Sequence, residues 1–445
     1  MNNKNKPIRM RTLQRLTYLL FSVGFTLGAA GQENSYTFTL NEAKAFALSN
    51  NLTRKNAAID VTIAKKKVWE TTAQGLPQVS AGVDFQYILN DLPKLTLPGS
   101  DGQPTQIEVG EKANATYSVT ISQLVFNGPY IVGLQAAKAY KNLSENALVK
   151  TDQDIKANVT AGYLTVLLLQ ETSQIMDSSV ANLKRIAHDT EQLYRTGFAD
   201  KTAVDQVRVS VSLLENSSAE TKRQLSSSVK LLKLQLGLPD SANLILSDKL
   251  TEMIARYNPN ANDIAFDPSK NIDLKILDNQ VNISKLQLKL NKSNFLPSVS
   301  AFVSFQRLHK EPLINFTPTA LLGAKLTLPI FSSGMRLSKV QQAKLEVSKS
   351  INTYYQTLQN VEMGFADAKA SLSVAWSKYE TQKMNKELAK QVLDDVRTKY
   401  KNGLASQVDV IQANDKYLQA VGNYLAAIVE VINARVKLDK LSGNI

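Results

Sequence analysis

The sequence predicts a mostly α-helical, internally duplicated chain in which each half contributes two strands to a membrane β-barrel. The first observation is a turn around Gly197 that returns 206 residues later around Gly403, each glycine lying between long segments of helical periodicity. The second is a set of four segments in which apolar and polar residues alternate. The third is a pair of segments of about 67 residues with no proline beyond the first turn. Helices of that length do not fit inside a compact globule.

Composition excludes several classes of site. The chain has 445 residues, 43% of them hydrophobic, so it can bury a large core. It has no cysteine, which excludes disulfides, thiolate metal sites and a lipid-bearing cysteine. The two histidines, His188 and His309, are far apart, and neither a phosphate-binding glycine loop nor an acid–base cluster occurs. The sequence therefore predicts no enzyme, no cofactor and no metal site.

Residues 1–31 have the pattern of a secretory signal. Five basic residues precede an apolar run at 16–30 that ends in small residues, and the run is too short for a membrane anchor. Since the signal carries five basic residues and no acid, its removal lowers the formal charge from +13 to +8. The remaining basic residues are interspersed with acids, so no nucleic-acid partner is predicted.

The first half of the mature chain is predicted to span residues 32–240. A helix at about 53–74 precedes two strands, and a loop from Asp91 to about Glu111 joins these strands. The strand pair, the long helix and its returning partner are predicted at 78–90, 114–126, 128–195 and 203–237.

The second half, residues 271–445, repeats this order. Leu296-Pro297 repeats Leu76-Pro77 at an offset of 220, and Asn271 repeats Asn51 at the same offset. The strands, the long helix and the returning helix are predicted at 297–308, 320–330, 333–400 and 406–440. Residues 241–270, with two prolines, remain as a small linker element between the halves.

Helix lengths predict how the pieces pack. Each long helix measures roughly 100 Å at 1.5 Å per residue, and each returning helix is about half as long. The helix before the strands is long enough to fill the remainder. We therefore expect two short helices, end to end, beside one continuous helix in each half. An apolar seam of Ile411, Leu418, Leu425 and Ile432, seven residues apart, supports this packing.

The strands favour a membrane barrel, with a soluble sandwich sheet as the alternative. One face is apolar and the other carries Ser, Thr, Gly, Gln and Asp, as in a barrel with lipid outside and water inside. Four strands cannot close a ring and open edges are not tolerated in lipid, so several copies would share the barrel. Asp84 and Lys325, on the polar face, would then point into the lumen.

These motifs resemble the TolC family of bacterial outer-membrane efflux ducts. The shared features are the Leu-Pro-x-Val-Ser strand entry, the strand exit ending in Phe, and the Tyr-x-x-Gly turn followed by Val-Asp-Val-Ile-Gln. The resemblance implies a homotrimer with a twelve-stranded barrel in outer-membrane lipid and an α-helical tunnel through the periplasm. It also implies a periplasmic adaptor and an inner-membrane pump as partners, in efflux or in type I secretion. The alternative is a periplasmic coiled-coil adaptor or structural protein without a channel.

The resemblance places an adaptor-docking surface on the two helical turns. Carried over by position, this surface consists of Gly197, Phe198 and Ala199 in one half and of Gly403, Leu404 and Ala405 in the other. The alternative is an ordinary helical hairpin in which glycine only ends the first helix.

A periplasmic aperture is predicted beside the turns. Asp409 matches a position where family members place an aspartate around the closed tunnel mouth, although a carboxylate in the first turn of a helix explains it equally well. Three positions lack the charged residues of the family's salt-bridge latch: Ala203, Ala405 and Gln412. Asp205 and Lys201 are candidate substitutes. We therefore expect helix packing, rather than a salt bridge, to hold the aperture closed.

Overall fold

The structure is a computed structural model that describes residues 35–98, 103–255, 257–258, 265–311, 315 and 317–445. The predicted signal at 1–31 lies outside this part. The first half comprises β1 (Ser35–Phe38), α1 (Leu40–Asn50), α2 (Leu52–Ala73), β2 (Gln78–Tyr87), β3 (Lys94–Pro98), β4 (Pro104–Glu108), β5 (Ala113–Asn127), α3 (Gly128–Arg195) and α4 (Lys201–Leu236). The remainder comprises β6 (Asn243–Leu246), α5 (Leu250–Ala255), a 3-10 turn (Pro268–Lys270), α6 (Ile272–Ser293), β7 (Ser298–Leu308), β8 (Ala320–Thr327), α7 (Met335–Lys401) and α8 (Gln407–Ser442).

Two very long helices dominate the molecule. Helix α3 has 68 residues and α7 has 67, so each is roughly 100 Å long. The 36-residue α4 packs on α3 and the 36-residue α8 packs on α7. The 22-residue α2 and α6 also pack on α3 and α7, respectively. Within the described ranges, no helix is both long and apolar enough to cross a bilayer.

In the first half, α4 ends where α2 begins, and Asn51 connects the two helices. Its side-chain oxygen accepts hydrogen bonds from the backbone N–H groups of Thr53 and Arg54, at 2.8 and 3.3 Å, and so caps α2. Its amide nitrogen donates to the backbone carbonyl of Gln235, at 2.7 Å, in the last turn of α4. One side chain therefore satisfies free backbone groups at both helix ends.

The second half repeats this joint between α8 and α6. The oxygen of Asn271 accepts from the backbone N–H of Leu274 at 3.1 Å, and its amide donates to the carbonyl of Leu441 at 3.0 Å. The preceding helix ends in each half at a left-handed glycine, Gly237 with φ of 79° and Gly443 with φ of 74°. Each half is thus one continuous helix beside two shorter helices placed end to end, as the helix lengths predict.

A four-stranded antiparallel sheet in the order β2-β5-β7-β8 continues from the helices. The pairing of β5 with β7 joins the two halves, and β2 and β8 are left as free edges in the single chain. The first of the four sheet strands was predicted to reach residue 90, but β2 ends at Tyr87. The fourth was predicted to reach residue 330, but β8 ends at Thr327, two residues before Pro329, which has no N–H for a ladder.

The register gives the sheet one apolar and one polar face. Val79 lies opposite Ile121, Ile121 opposite Val303, and Val303 opposite Leu322, which makes an apolar row across all four strands. The adjacent row of Ser80, Thr120, Ser304 and Leu321 is polar except for its last member, and the hydroxyl oxygens of Thr120 and Ser304 lie 3.0 Å apart. The side chains on the apolar face include Val83, Phe85, Tyr87, Tyr117, Val119 and Phe305, all exposed in the single chain.

The linker element pairs with the short strand β1, an interaction that the sequence analysis missed. Strand β1 pairs in parallel with β6, and a buried polar network anchors both to α3. The hydroxyl of Tyr163, fully buried on α3, lies 2.8 Å from the carbonyl oxygen of Phe38 and 3.0 Å from the carboxylate of Asp248. Asp248 also accepts from the backbone N–H of Leu40 at 2.7 Å. Burial is the main cause of the raised pKa of Tyr163.

The segment between β2 and β5 is not simply a loop, so that prediction is wrong in part. It contains the hairpin of β3 and β4, with Lys94 opposite Glu108 and Leu95 opposite Ile107. The strands are only five residues long, and a proline, Pro98 or Pro104, stands at the last residue of β3 and at the first residue of β4. Short strands with prolines have the composition that predicts a loop.

Candidate functional site

The two helical turns lie at the same end of the molecule. Beneath them, one apolar cluster combines Leu183 and Val207 of the first helical hairpin with Leu393 and Val410 of the second. Ile411 and Leu418 of the predicted α8 seam pack against this cluster, whereas Leu425 and Ile432 lie in the larger core near the middle of the molecule. The seam therefore packs over the whole length of α8.

The same backbone motif ends α3 and α7 at the turns. Gly197 has φ of 82° and Gly403 has φ of 71°, the left-handed conformation that glycine adopts without strain. In each turn the glycine N–H bonds the carbonyl three residues back, at 3.0 Å, and the next N–H bonds the carbonyl five residues back, at 2.8 Å. This is the Schellman motif, which satisfies two free carbonyls at a helix end. Each glycine therefore ends its helix without backbone strain, which is the role that the alternative interpretation gives it.

The same turns also present an open apolar surface. The side chain of Phe198 is 84% exposed and that of Leu404 is 77% exposed, while Ala199 and Ala405 are half-buried beside them. A Cβ atom built on Gly197 or Gly403 would meet no atom within 4 Å. In each turn, therefore, a glycine with open space around its Cα is followed by one large, exposed apolar side chain. Such a pair of sites is suited to contact with another protein.

Asp409 forms a capping box at the start of α8. Its carboxylate accepts hydrogen bonds from the backbone N–H of Ser406 at 2.8 Å and from the Ser406 hydroxyl at 2.7 Å. The Ser406 hydroxyl oxygen in turn accepts from the Asp409 N–H at 3.2 Å. The hydrogen bonds from Ser406, first its N–H and then its hydroxyl, lower the pKa of Asp409, so this exposed carboxylate is ionised at neutral pH.

The first turn is capped differently. There the carboxylate of Asp200 accepts a hydrogen bond from the backbone N–H of Ala203 at 2.7 Å, which is a simple N-cap without a capping box. Asp205 and Lys201 are both exposed on α4, and no ion pair joins them in the described part of the chain. Ala405 and Gln412 likewise supply no charge.

A polar layer separates the cluster under the turns from the larger core. Between α3, α7 and α8 lies a cavity of about 300 Å³ whose lining includes Glu171, Asp394, Arg397 and Tyr417. Burial lowers the pKa of Arg397, and its Nε atom has no hydrogen-bond partner among the described residues. The sequence analysis missed this layer, because Asp394 and Arg397 have the spacing of an ordinary exposed pair on a helix.

The two residues predicted for a lumen lie on the polar face of the sheet. Asp84 of β2 is opposite Thr116, and Lys325 of β8 is opposite Ser300. Asp84 lies near the sheet end remote from the helices and Lys325 near the helical end, so they do not form a pair. In the described part of the chain, no group of three His, Asp or Glu side chains is arranged to hold a metal ion.

Comparison with known proteins agrees with this architecture. The chain is 22% identical over 392 residues to the cation efflux system protein CusC of Escherichia coli O6:H1, covering 84% of this chain and 80% of CusC. It is 19% identical over 361 residues to the alkaline protease secretion protein AprF of Pseudomonas aeruginosa, covering 77% of this chain and 74% of AprF.

The fold matches that of solved outer-membrane channels. Against the crystal structure of the CmeC outer membrane channel of Campylobacter jejuni, the TM-score is 0.71 at 17% identity, covering 91% of this chain and 85% of CmeC. The family model described as outer membrane efflux protein matches residues 46–238 and 269–444, and so both halves of the duplication. The resemblance predicted from the sequence is therefore confirmed, and the chain belongs to the outer membrane efflux protein family.

Proposed function

We propose that the protein is a passive outer-membrane exit duct that carries substrates from the periplasm to the exterior. The observation that carries the proposal is the open four-stranded sheet, apolar on one face, which leads at Asn127 directly into a helix of 68 residues. When copies of the chain assemble, the polar faces of their sheets would enclose a hydrophilic lumen. The long helices would continue this lumen as a tunnel. Members of the family form trimeric channels that work with adaptors and inner-membrane pumps.

The free edges support assembly of three copies into one barrel. Strand β8 of one copy would pair with β2 of the next, which gives twelve strands and removes every open edge from lipid. The polar face, with Asp84 and Lys325, would then line the lumen, and the apolar face would meet lipid. A coiled-coil adaptor without a channel has no use for this sheet, so that alternative is disfavoured.

Extraction from purified outer membranes tests the duct directly. We expect the detergent-solubilised protein to have the mass of three chains, with detergent mass subtracted, because only a closed barrel satisfies the edge strands in lipid. Analytical ultracentrifugation or light scattering measures this mass. The soluble fraction of the same cells is the control. A periplasmic monomer in that fraction would mean that the sheet is an ordinary soluble sheet, and the duct proposal would fail.

The cargo follows from the partners of the duct. CusC is named for cation efflux and AprF for secretion of a protease, and this chain matches both at similar identity. Because both relatives have the same kind of chain, we propose that the adaptor and pump, rather than the duct, select the substrate. The proposed adaptor contact is the pair of turns with Phe198 and Leu404, since both are exposed, apolar and placed at the same end of the molecule.

We propose that Asp205 and Asp409 lie near the periplasmic aperture and act on ions that pass it. In a trimer, three ionised copies of Asp409 would attract cations and repel anions. The apolar cluster of Leu183, Val207, Leu393 and Val410 supports packing as the main force that holds the aperture closed.

Bilayer recordings test the role of Asp409. We expect Asp409→Ala to reduce the preference for cations while changing conductance little, and Glu220→Gln, an exposed change in the middle of α4, to alter neither. Because the pKa of Asp409 is lowered, the wild-type cation preference should persist below about pH 4, the ordinary range of Asp, and disappear as the pH falls through the lowered value. A large rise in conductance without a change in selectivity would show instead that Asp409 latches the aperture.

A further inference from the structure

One charged residue stands on the apolar face of the sheet. Among the described residues of the four paired strands, Arg307 of β7 is the only charged side chain on that face, in a row with Val83 and Tyr117. It is exposed and makes no ion pair with any described residue. A guanidinium on a lipid-facing surface is unfavourable at depth and is tolerated near the membrane interface. The distance of Arg307 from the middle of the membrane therefore decides whether its charge is tolerated.

Arg307 lies at the end of the sheet remote from the helices. The strands meet the helices near Gln78, Asn127 and Ser298, whereas Arg307 is the next-to-last residue of β7. Tyr117 is beside it, and the His309 ring contacts Tyr117 edge-on with centroids 6.2 Å apart. Aromatic side chains at this level are typical of the membrane interface. In the proposed duct this is the interface of the outer leaflet.

A groove on the apolar face begins at Arg307. A cavity of about 770 Å³ is lined mainly by two neighbouring rows of the apolar face, whose residues are Ala81, Val83, Tyr117, Val119, Phe305 and Arg307. Gly82, Ser118, Gln306 and Thr319 also line it. The rows are two residues apart along each strand, or about 7 Å, which is wide enough for one hydrocarbon chain. Because the side chain of Ala81 is small, it leaves a space in the groove that the larger side chains around it enclose. Glu311 also lines the cavity without forming an ion pair with Arg307.

We infer that this groove binds an acyl chain of a phosphorylated lipid of the outer leaflet while Arg307 binds its phosphate. The groove is apolar, as a hydrocarbon chain requires, and its one cation carries a planar fork of N–H groups that matches phosphate oxygens. The carboxylate of Glu311 is placed to accept hydrogen bonds from hydroxyl or ammonium groups of the same headgroup. The inference rests on the proposed function, because only a barrel in the outer membrane brings this face to such a lipid.

Lipid that remains on the purified trimer tests the inference. We expect wild-type protein, extracted from outer membranes in mild detergent, to retain lipid A that mass spectrometry quantifies per chain. Arg307→Gln should retain at least tenfold less. The control is Lys325→Gln, which removes a cation from the polar face of the same sheet and should leave retention unchanged. Equal retention by all three proteins would overturn the inference, as would equal rebinding of lipid A from which the phosphates have been removed.

A second variant tests the groove without touching the charge. Ala81→Phe fills the space between the rows and leaves Arg307 in place, so it should lower lipid retention as well. Unchanged retention by that variant would mean that the acyl chain does not occupy the groove. The outcomes also separate the two proposals. A wild-type protein that is absent from outer membranes refutes the duct, whereas an assembled trimer whose Arg307→Gln variant keeps its lipid refutes only the lipid site.

Discussion

Alanine in place of Gly237 or Gly443 is expected to destabilise the protein far more than alanine in place of Gly197 or Gly403. All four glycines end a helix in the left-handed conformation, with φ between 71° and 82°. A non-glycine residue loses about 1–2 kcal/mol in that conformation, and this cost is common to the four sites. The four sites differ in how close the neighbouring backbone comes to the position of an added Cβ atom.

The two helix joints have no room for a methyl group. A Cβ on Gly237 would lie 2.8 Å from the carbonyl oxygen of Asn50, and a Cβ on Gly443 would lie 2.6 Å from that of Lys270. Because the obstacle is backbone, the two helices must move apart, and this weakens the bridges made by Asn51 and Asn271. Overpacking of this kind costs about 1–3 kcal/mol more. We expect about 2–5 kcal/mol per joint, against about 1–2 kcal/mol per turn.

Thermal loss of helical circular dichroism in detergent measures the effect. The variants at the turns serve as controls, because they share the backbone strain and lack the clash. We expect Gly237→Ala and Gly443→Ala to lose helix at clearly lower temperatures than Gly197→Ala and Gly403→Ala. Equal midpoints for all four would show that the helix ends at the joints are not in close contact.

The long helices and strand faces could be predicted because their signals are local. Absence of proline, an apolar seam and strict alternation are all visible within one segment. The offset of 220 between Asn51 and Asn271 was also visible, and the structure shows why both positions have asparagine. Only a side chain with an acceptor and a donor caps one helix and bonds the end of another.

What the sequence does not predict depends on contacts between distant segments. Tyr163 and Asp248 are 85 residues apart, and nothing near either residue indicates their buried hydrogen bond. Register is another example. Phe302 lies on the polar face opposite Gly323, and its ring approaches the position that a Cβ on Gly323 would occupy to 2.7 Å. The ring covers a glycine on the neighbouring strand, so an aromatic residue there is understandable only once the strands are paired.

The predicted docking residues show which properties of a turn a sequence motif predicts and which it does not. The sequence placed the turns correctly around Gly197 and Gly403, because a left-handed helix end has a recognisable glycine. It could not separate a glycine that only ends a helix from one that also lies on a contact surface. The structure shows Schellman hydrogen bonds at each turn and an open surface beside each glycine, and docking of an adaptor on that surface stays a proposal.

Gly403→Asp is expected to leave an assembled trimer that no longer supports efflux. The aspartate would project into open space, since no atom lies within 4 Å of the Cβ position, so its cost to folding is limited to backbone strain. Aspartate also tolerates the left-handed conformation better than most residues. Its charge, however, would lie beside the exposed Leu404, where an apolar partner surface must be desolvated on docking. We expect loss of at least tenfold in efflux rate.

Gly403→Ala is the matched control, because its backbone strain is at least as large as that of Gly403→Asp and it adds no charge. Both variants would be expressed in cells that lack the wild-type protein, and accumulation of ethidium would report efflux. The mass of the detergent-extracted protein would be measured in parallel. We expect three chains for both variants, high accumulation for Gly403→Asp and near wild-type accumulation for Gly403→Ala. Gly197→Asp should behave like Gly403→Asp if both turns contact the adaptor.

The pattern across these variants separates a docking surface from a helix end. If glycine served only to end α7, alanine and aspartate would impair efflux alike, because both lose the freedom of glycine. If the turn is a contact surface, the added charge is what prevents docking, so only the aspartate variant impairs efflux. Normal efflux with Gly403→Asp in an assembled trimer would remove the turns from the docking surface. The adaptor contact would then have to lie higher on the helical hairpins, away from Phe198 and Leu404.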